Sequence, residues 1–228
     1  MYGPASTALH SIQHSSYVRF SVLALSSIFF LVDPFAAIGT FMAITAGEDA
    51  PTRKRTARRG AFTCFIVLTS FALVGKLIFR MFGITLPAFE IAGGLILLLI
   101  GIDMLEAKRS PTQESSHETA EAAEKDDAGI VPLGIPMLSG PGAISSVMVL
   151  VGQATRVWEW FAILGSIGIT AWASYGVLAG ADRVRRVLGD TGIRILVRIM
   201  GLLLVALAVQ FFVNGLTDLG VIARQAVE

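Results

Sequence analysis

Two short segments carry residues that could do chemistry inside an otherwise apolar chain: Leu31-Val-Asp33-Pro34-Phe35-Ala36-Ala37 and Pro136-Met-Leu-Ser139-Gly140-Pro141-Gly142-Ala143-Ile144-Ser145. Proline removes one backbone donor and clashes with the preceding helical turn. Asp directly before Pro is a helix-start signal, with the carboxylate as N-cap and the ring at the first helical position. In the second segment two glycines flank a proline, which does not hold a regular helix cheaply, and Ser139 or Gly140 can cap the restart. Each segment therefore predicts a helix that stops and begins again. The restarted ends, at Phe35 to Ala37 and Gly142 to Ile144, would aim free N–H groups and a positive dipole end at an anion such as a carboxylate. Asp33 either caps its half-helix only, or also meets an ammonium group or a proton. The bland alternative is that Pro34 and Pro141 merely kink their helices.

The elements that must position these residues follow from composition. Of the 228 residues 54% are hydrophobic and 15% charged, with a mean hydropathy of +0.70. Soluble domains carry about 25% charged residues, so the chain cannot wet a globule of its size. The apolar excess gathers in six runs, at 18–45, 60–82, 87–106, 130–152, 157–179 and 193–216. About 20 residues cross a bilayer, so the fold class is all-α: a polytopic membrane protein of six transmembrane helices, the first and fourth broken mid-membrane. Residues 1–17 read as an exposed tail, without the basic region or cleavage pattern of a signal peptide. The polar, acidic stretch 107–129 reads as a flexible loop dividing repeat 18–106 from repeat 130–220, with 221–228 as a C-terminal tail.

Lys and Arg set orientation, because the basic excess stays in the cytoplasm. Arg53, Lys54, Arg55, Arg58, Arg59, Lys108, Arg109, Lys125, Arg183, Arg185 and Arg186 fall on one side, against Arg19, Arg80, Arg156 and Arg224 on the other. Both termini are then expected outside, in the periplasm or extracellular space. Sliding one half over the other lays Pro34 on Pro141, 107 positions apart, and Glu90-Ile-Ala-Gly93 on Arg198-Ile-Met-Gly201, 108 apart. Three spans per half would make the second copy enter from the opposite face, the inverted repeat of many secondary transporters. Irregular backbone in a membrane needs a protein or water-lined surrounding, so both breaks argue for an internal, polar, wet site.

Asp33, near the centre of its span, is the strongest single candidate, since an ionised carboxylate there costs about 2.5–3.5 kcal/mol on insertion scales. Glu90 and Arg198 should lie toward opposite leaflets and not pair. Lys76, Arg80, Arg194 and Glu106 are expected to snorkel to the headgroups. Gly93, Gly94, Gly101 and Gly201 suit close helix packing, and Gln210 and Asn214 share one helix face, free to bond across helices or line a cavity. Cys64 lies in an apolar run and His10, His14 and His117 in polar segments. No metal site, disulfide or cofactor is expected. Near-balanced charge removes a nucleic-acid partner, and the absence of G-x-S-x-G or paired intramembrane aspartates argues against an enzyme.

The segments LVDPFAAIGTF, LPAFEIAGGLILLLIGIDML, VPLGIPMLSGPGAISSVMVL and RIMGLLLVALAVQFFVNGL together resemble the MarC family of six-span inner-membrane proteins, the UPF0056 type, similar in organisation to LysE-type exporters. The resemblance runs from Val18 to about Gly220 and implies a neutral amino acid transporter, for substrates such as glycine or alanine. It marks Asp33-Pro34 and Gly140-Pro141-Gly142 as the transport site, with Gly93, Gly94 and Gln210 nearby. The coupling ion is open between a proton and sodium, and the oligomeric state is open. The alternatives are an exporter of another small metabolite and a non-transporting scaffold or sensor that uses the acidic loop.

Overall fold

The computed structural model describes residues 4–106 and 129–222, apart from the side chains of residues 4–16 and of Asp190. Within that range it is helical. Helix α1 (Pro4–Val32) and α2 (Ala37–Ile44) are followed by α3 (Ala50–Phe82) and α4 (Leu86–Leu105). After an irregular helical stretch, Gly129–Leu138, come α5 (Pro141–Gln153), α6 (Val157–Ala179) and α7 (Ala181–Asp218). Among the described residues four helices are long and apolar enough to cross a membrane. Two further spans appear if each bent pair counts as one: α1 with α2, bent by 45°, and Gly129–Leu138 with α5, bent by 57°.

Several boundaries differ from the sequence expectation, for physical reasons. The first helix already begins at Pro4, where an exposed tail was expected over 1–17. The second span, expected from 60, belongs to a helix that starts at Ala50, because Asp49 accepts the Thr52 N–H at 3.1 Å and Pro51 occupies the first turn. The Thr52 hydroxyl and N–H hold the Asp49 carboxyl below the usual carboxylate range. Hydropathy finds only the part of a helix that lies in lipid, and Lys and Arg are good helix formers. At 33 residues and about 1.5 Å per residue, α3 outruns a hydrocarbon layer of about 30 Å, so its basic first turns stand clear of it. The same holds for α7, expected from 193 but beginning at Ala181. Its surface segment is divided from the span by Gly189 (φ 65, ψ 174), a conformation that glycine adopts without steric cost. The expected loop 107–129 lies almost wholly outside the described residues.

The bundle is held by close backbone approach rather than by large side chains at every crossing. The principal packed pair is α4 against α7, and α3 packs on Gly129–Leu138, α5 and α6. A Cβ on Gly94 would lie 2.9 Å from the Ala208 carbonyl oxygen, one on Gly101 3.0 Å from that of Gly201, and one on Gly201 3.0 Å from that of Gly101. Apolar solvent gives helices no hydrophobic reason to associate, so such small-residue contacts carry the packing. Elsewhere Ile28, Ile38, Phe41, Leu68, Leu97, Leu133, Leu138 and Ile167 are fully buried.

The two ends of the bundle differ chemically. At one end Trp158 stacks edge-on against Tyr17 and Phe20, at ring distances of 4.5 and 5.3 Å. There too the Lys76 ammonium sits 5.4 Å from the Trp160 ring, a cation–π contact. At the other end Arg53 ties α3 to α7 through Asp182 at 2.7 Å and lies over Phe41 of α2, 5.7 Å from its centroid. Replacing Gly201 by leucine should drive a side chain into the Gly101 backbone and cost about 1–3 kcal/mol. A lowered melting temperature in detergent, with the exposed Gly39→Leu as a milder comparison, checks this.

Candidate functional site

The first break is built around Asp33. Helix α1 ends at Val32, and Asp33 takes φ +40, the left-handed region that short polar residues tolerate better than others. Its Oδ1 accepts the Ala36 N–H at 3.1 Å, and its backbone oxygen accepts the Ala37 N–H at 3.4 Å. The carboxylate therefore does what an N-cap does, although the turn through Pro34, Phe35 and Ala36 is too distorted to count as helix and regular α2 begins at Ala37. The second oxygen, Oδ2, is buried and has no hydrogen-bond partner. One carboxylate thus spends one oxygen on the backbone and keeps one in reserve.

The second break is arranged differently from expectation in two respects. Its entering stretch is no regular half-helix: Val131 and Ile135 have extended φ/ψ, each preceding a proline, as the steric restriction on pre-proline residues demands, and both X-Pro bonds are cis. The cap falls to Gly140 (φ −64, ψ 171) with no side-chain bond, because the Ser139 hydroxyl turns back to donate to the Gly134 oxygen at 2.7 Å. The Ile144 N–H, expected to be free, donates to the Gly140 oxygen at 3.0 Å. Gly142 and Ala143 remain the first-turn N–H groups ahead of it.

The two breaks are brought together on Leu31. Leu31 lines the small void at Asp33, and its Cδ2 lies 3.7 Å from where a Cβ on Gly142 would be, with Leu97 closer still. That void measures about 10 Å³ and is walled by Ala36, Ala37, Met104, Met137 and Leu204. A single water needs about 10–15 Å³, so this conformation is closed around Asp33, in place of the wet cavity expected.

Among the secondary residues, Gly93 joins the site: a Cβ there would meet the Ser145 Oγ at 2.7 Å. Gly94 instead packs on α7. Gln210 does not join, because it is exposed and donates to Asn214 at 2.7 Å on its own helix. Glu90 and Arg198 do not pair. Arg198 is exposed, whereas Glu90 is 1% exposed with neither carboxylate oxygen hydrogen-bonded. Sequence reading missed Met104, Met137 and Leu204 as the wall of the site, since aliphatic residues in apolar helices carry no local signal of what they face. Among the described residues no cluster of His, Cys, Asp or Glu could hold a metal ion.

Because Asp33 both caps a turn and occupies a left-handed position, Asp33→Ala should lose about 1 kcal/mol from the cap and about 1–2 kcal/mol from the backbone. Asp33→Gly keeps the permitted backbone and loses only a few tenths of a kcal/mol at the cap. Thermal unfolding should rank wild type, Asp33→Gly, Asp33→Ala in falling order.

A family model described as "MarC family integral membrane protein" matches residues 18–219. A UPF0056 membrane protein of Methanocaldococcus jannaschii is 37% identical over 199 residues, covering 87% of this chain and 97% of the relative. One from Aquifex aeolicus is 33% identical, covering 87% and 92%, and the UPF0056 membrane protein YhcE of Escherichia coli is 34% identical, covering 83% and 88%. These names state membrane residence and no substrate. No solved structure matches.

Proposed function

The chain belongs to the MarC family of integral membrane proteins, and from that premise we propose that it is a secondary transporter of a small neutral amino acid of the glycine or alanine class. It would act in the inner membrane of a bacterium, with both termini outward. The observation that carries this reading is the meeting of two mid-span helix breaks beside a buried carboxylate oxygen that nothing in the protein uses. The N–H groups of Gly142 and Ala143, at the positive end of α5, suit a substrate carboxylate. Asp33 Oδ2 suits its ammonium group. The small residues Ala36, Ala37, Gly142 and Ala143 leave space for little more than a glycine or alanine side chain once the void opens.

An inverted repeat would supply the movement. It gains support from the crossing of α4 and α7 when one offset of 107 positions is applied throughout, which pairs Gly94 with Gly201 and Gly101 with Ala208. The close approach that would put a Cβ on Gly94 2.9 Å from the Ala208 oxygen then has as its counterpart the one that would put a Cβ on Gly201 3.0 Å from the Gly101 oxygen. The two contacts exchange under that swap, as an axis through the α4–α7 crossing requires. Rocking one half about such an axis would part Leu31, Met104, Met137 and Leu204 and open the closed void, first to one side and then to the other. We read the protein as a carrier rather than an enzyme, with a proton or sodium as coupling ion.

Uptake of labelled glycine or alanine into proteoliposomes tests the reading. Saturable flux is expected, falling at least tenfold in Pro141→Ala, and absence of flux in the wild-type protein would sink it. Asp33→Gly refines the site: lost flux in this folded variant assigns Oδ2 to the ammonium group, whereas retained flux confines Asp33 to capping.

Removing residues 107–128 should leave uptake within about twofold of wild type if the loop only joins the halves. A scaffold or sensor that works through this acidic loop would instead lose its function with it.

A further inference from the structure

On the outer surface of the bundle, beside the first break, lies a groove of about 710 Å³. Phe35 of the break, Trp172 of α6, and Val184, Val187 and Leu188 of the α7 surface segment line it, together with Arg183. Trp172 and Val187 are 76% and 78% exposed. Because α6 is a candidate span, the surrounding they face is lipid, and the groove runs along α6 to the end that carries the basic first turns of α3 and α7.

The segment 181–188 has the pattern of a helix lying in a membrane interface. Val184, Val187 and Leu188 recur at i, i+3 and i+4, and Arg183, Arg185 and Arg186 occupy the remaining arc. Arg183 is exposed and lines the apolar groove rather than facing away from it. No described carboxylate pairs with it, and Asp182, the acid next to it in sequence, is engaged by Arg53 at 2.7 Å. A cation at the mouth of a hydrocarbon channel is complementary to one class of molecule, an amphiphile with a negative head and an alkyl tail. Basic pockets at this depth between membrane helices take phosphate headgroups.

We propose that this groove binds one anionic phospholipid, its phosphate on Arg183 and an acyl chain against Trp172, Val184 and Val187. The chain end reaches Phe35, two residues beyond Asp33, so the lipid touches the broken first span directly.

The test uses full-length protein in nanodiscs and in detergent, with phosphatidylglycerol and phosphatidylcholine of identical acyl chains as probes. Retention measured by native mass spectrometry and the melting temperature are the readouts. Phosphatidylglycerol should bind and stabilise more than phosphatidylcholine. Arg183→Gln should reduce that preference about fivefold, the ratio given by about 1 kcal/mol per basic residue near anionic lipid. Arg58→Gln, an exposed cation at the same end, should leave it unchanged, and Trp172→Ala should weaken both lipids while sparing the preference. A photoactivatable phosphatidylglycerol should label residues 172–188. The proposal is overturned by equal binding of the two lipids, by an Arg58→Gln effect as large as that of Arg183→Gln, or by complete competition from glycerol phosphate. None of these readouts requires transport, so a failed uptake assay leaves them decisive.

Discussion

Hydrocarbon offers no hydrogen bonds, and every departure from helical geometry inside it must be satisfied by the protein itself. The structure is organised around meeting that demand twice. At the first break a carboxylate supplies the missing acceptor for Ala36; at the second, the backbone N–H and the hydroxyl of Ser139 both donate to the Gly134 carbonyl of the proline-broken stretch. The polar groups of neither break could face lipid, so the remaining helices close over Asp33, Ser139 and the start of α5. The α4–α7 pair forms one wall through Met104 and Leu204, and Met137 of the irregular stretch forms another. The glycines that let α4 and α7 touch backbone to backbone are in this sense part of the same solution: they bring the wall close enough to exclude everything but about one water.

Polarity along the membrane normal is a second layer of organisation. Aromatic rings gather where Tyr17 and Phe20 of α1 meet the start of α6, as amphipathic rings do at headgroup depth, and the basic turns of α3 and α7 gather at the opposite end, stapled by Arg53. The breaks lie between these two belts.

Much of this was legible in the sequence, and what was legible had local causes. Asp-Pro and Gly-Pro-Gly disrupt a helix whatever surrounds them, so both bends could be placed from residue chemistry alone. The capping role of Asp33 followed in the same way, although the Ala36 and Ala37 N–H groups, expected to be free for an anion, are taken up by Asp33 itself. Helix ends in water were less legible, because hydropathy is silent once a helix leaves the bilayer, and α3 and α7 both continue into solvent as basic, strongly helix-forming turns. Least legible was the state of the site. Whether the space beside Asp33 is wet or closed depends on how Met104, Met137 and Leu204 converge from three separate elements, and Gln210, polar and well placed in one dimension, turns outward in three. Ser139 shows the same limit on a smaller scale: two residues were open for one cap, and the Ser139 hydroxyl went instead to the Gly134 carbonyl that its own backbone N–H already bonds.

Arg53 joins the ends of three elements with one side chain, yet its partner Asp182 is 57% exposed, and ion pairs so open to solvent contribute about 0–1 kcal/mol. Expressed as populations, that favours joined over parted ends by about fivefold at most, less as salt screens the charges. The clasp across the two halves is therefore a bias on an equilibrium and not a barrier to it: thermal energy alone can undo it many times within the lifetime of any slower rearrangement of the bundle.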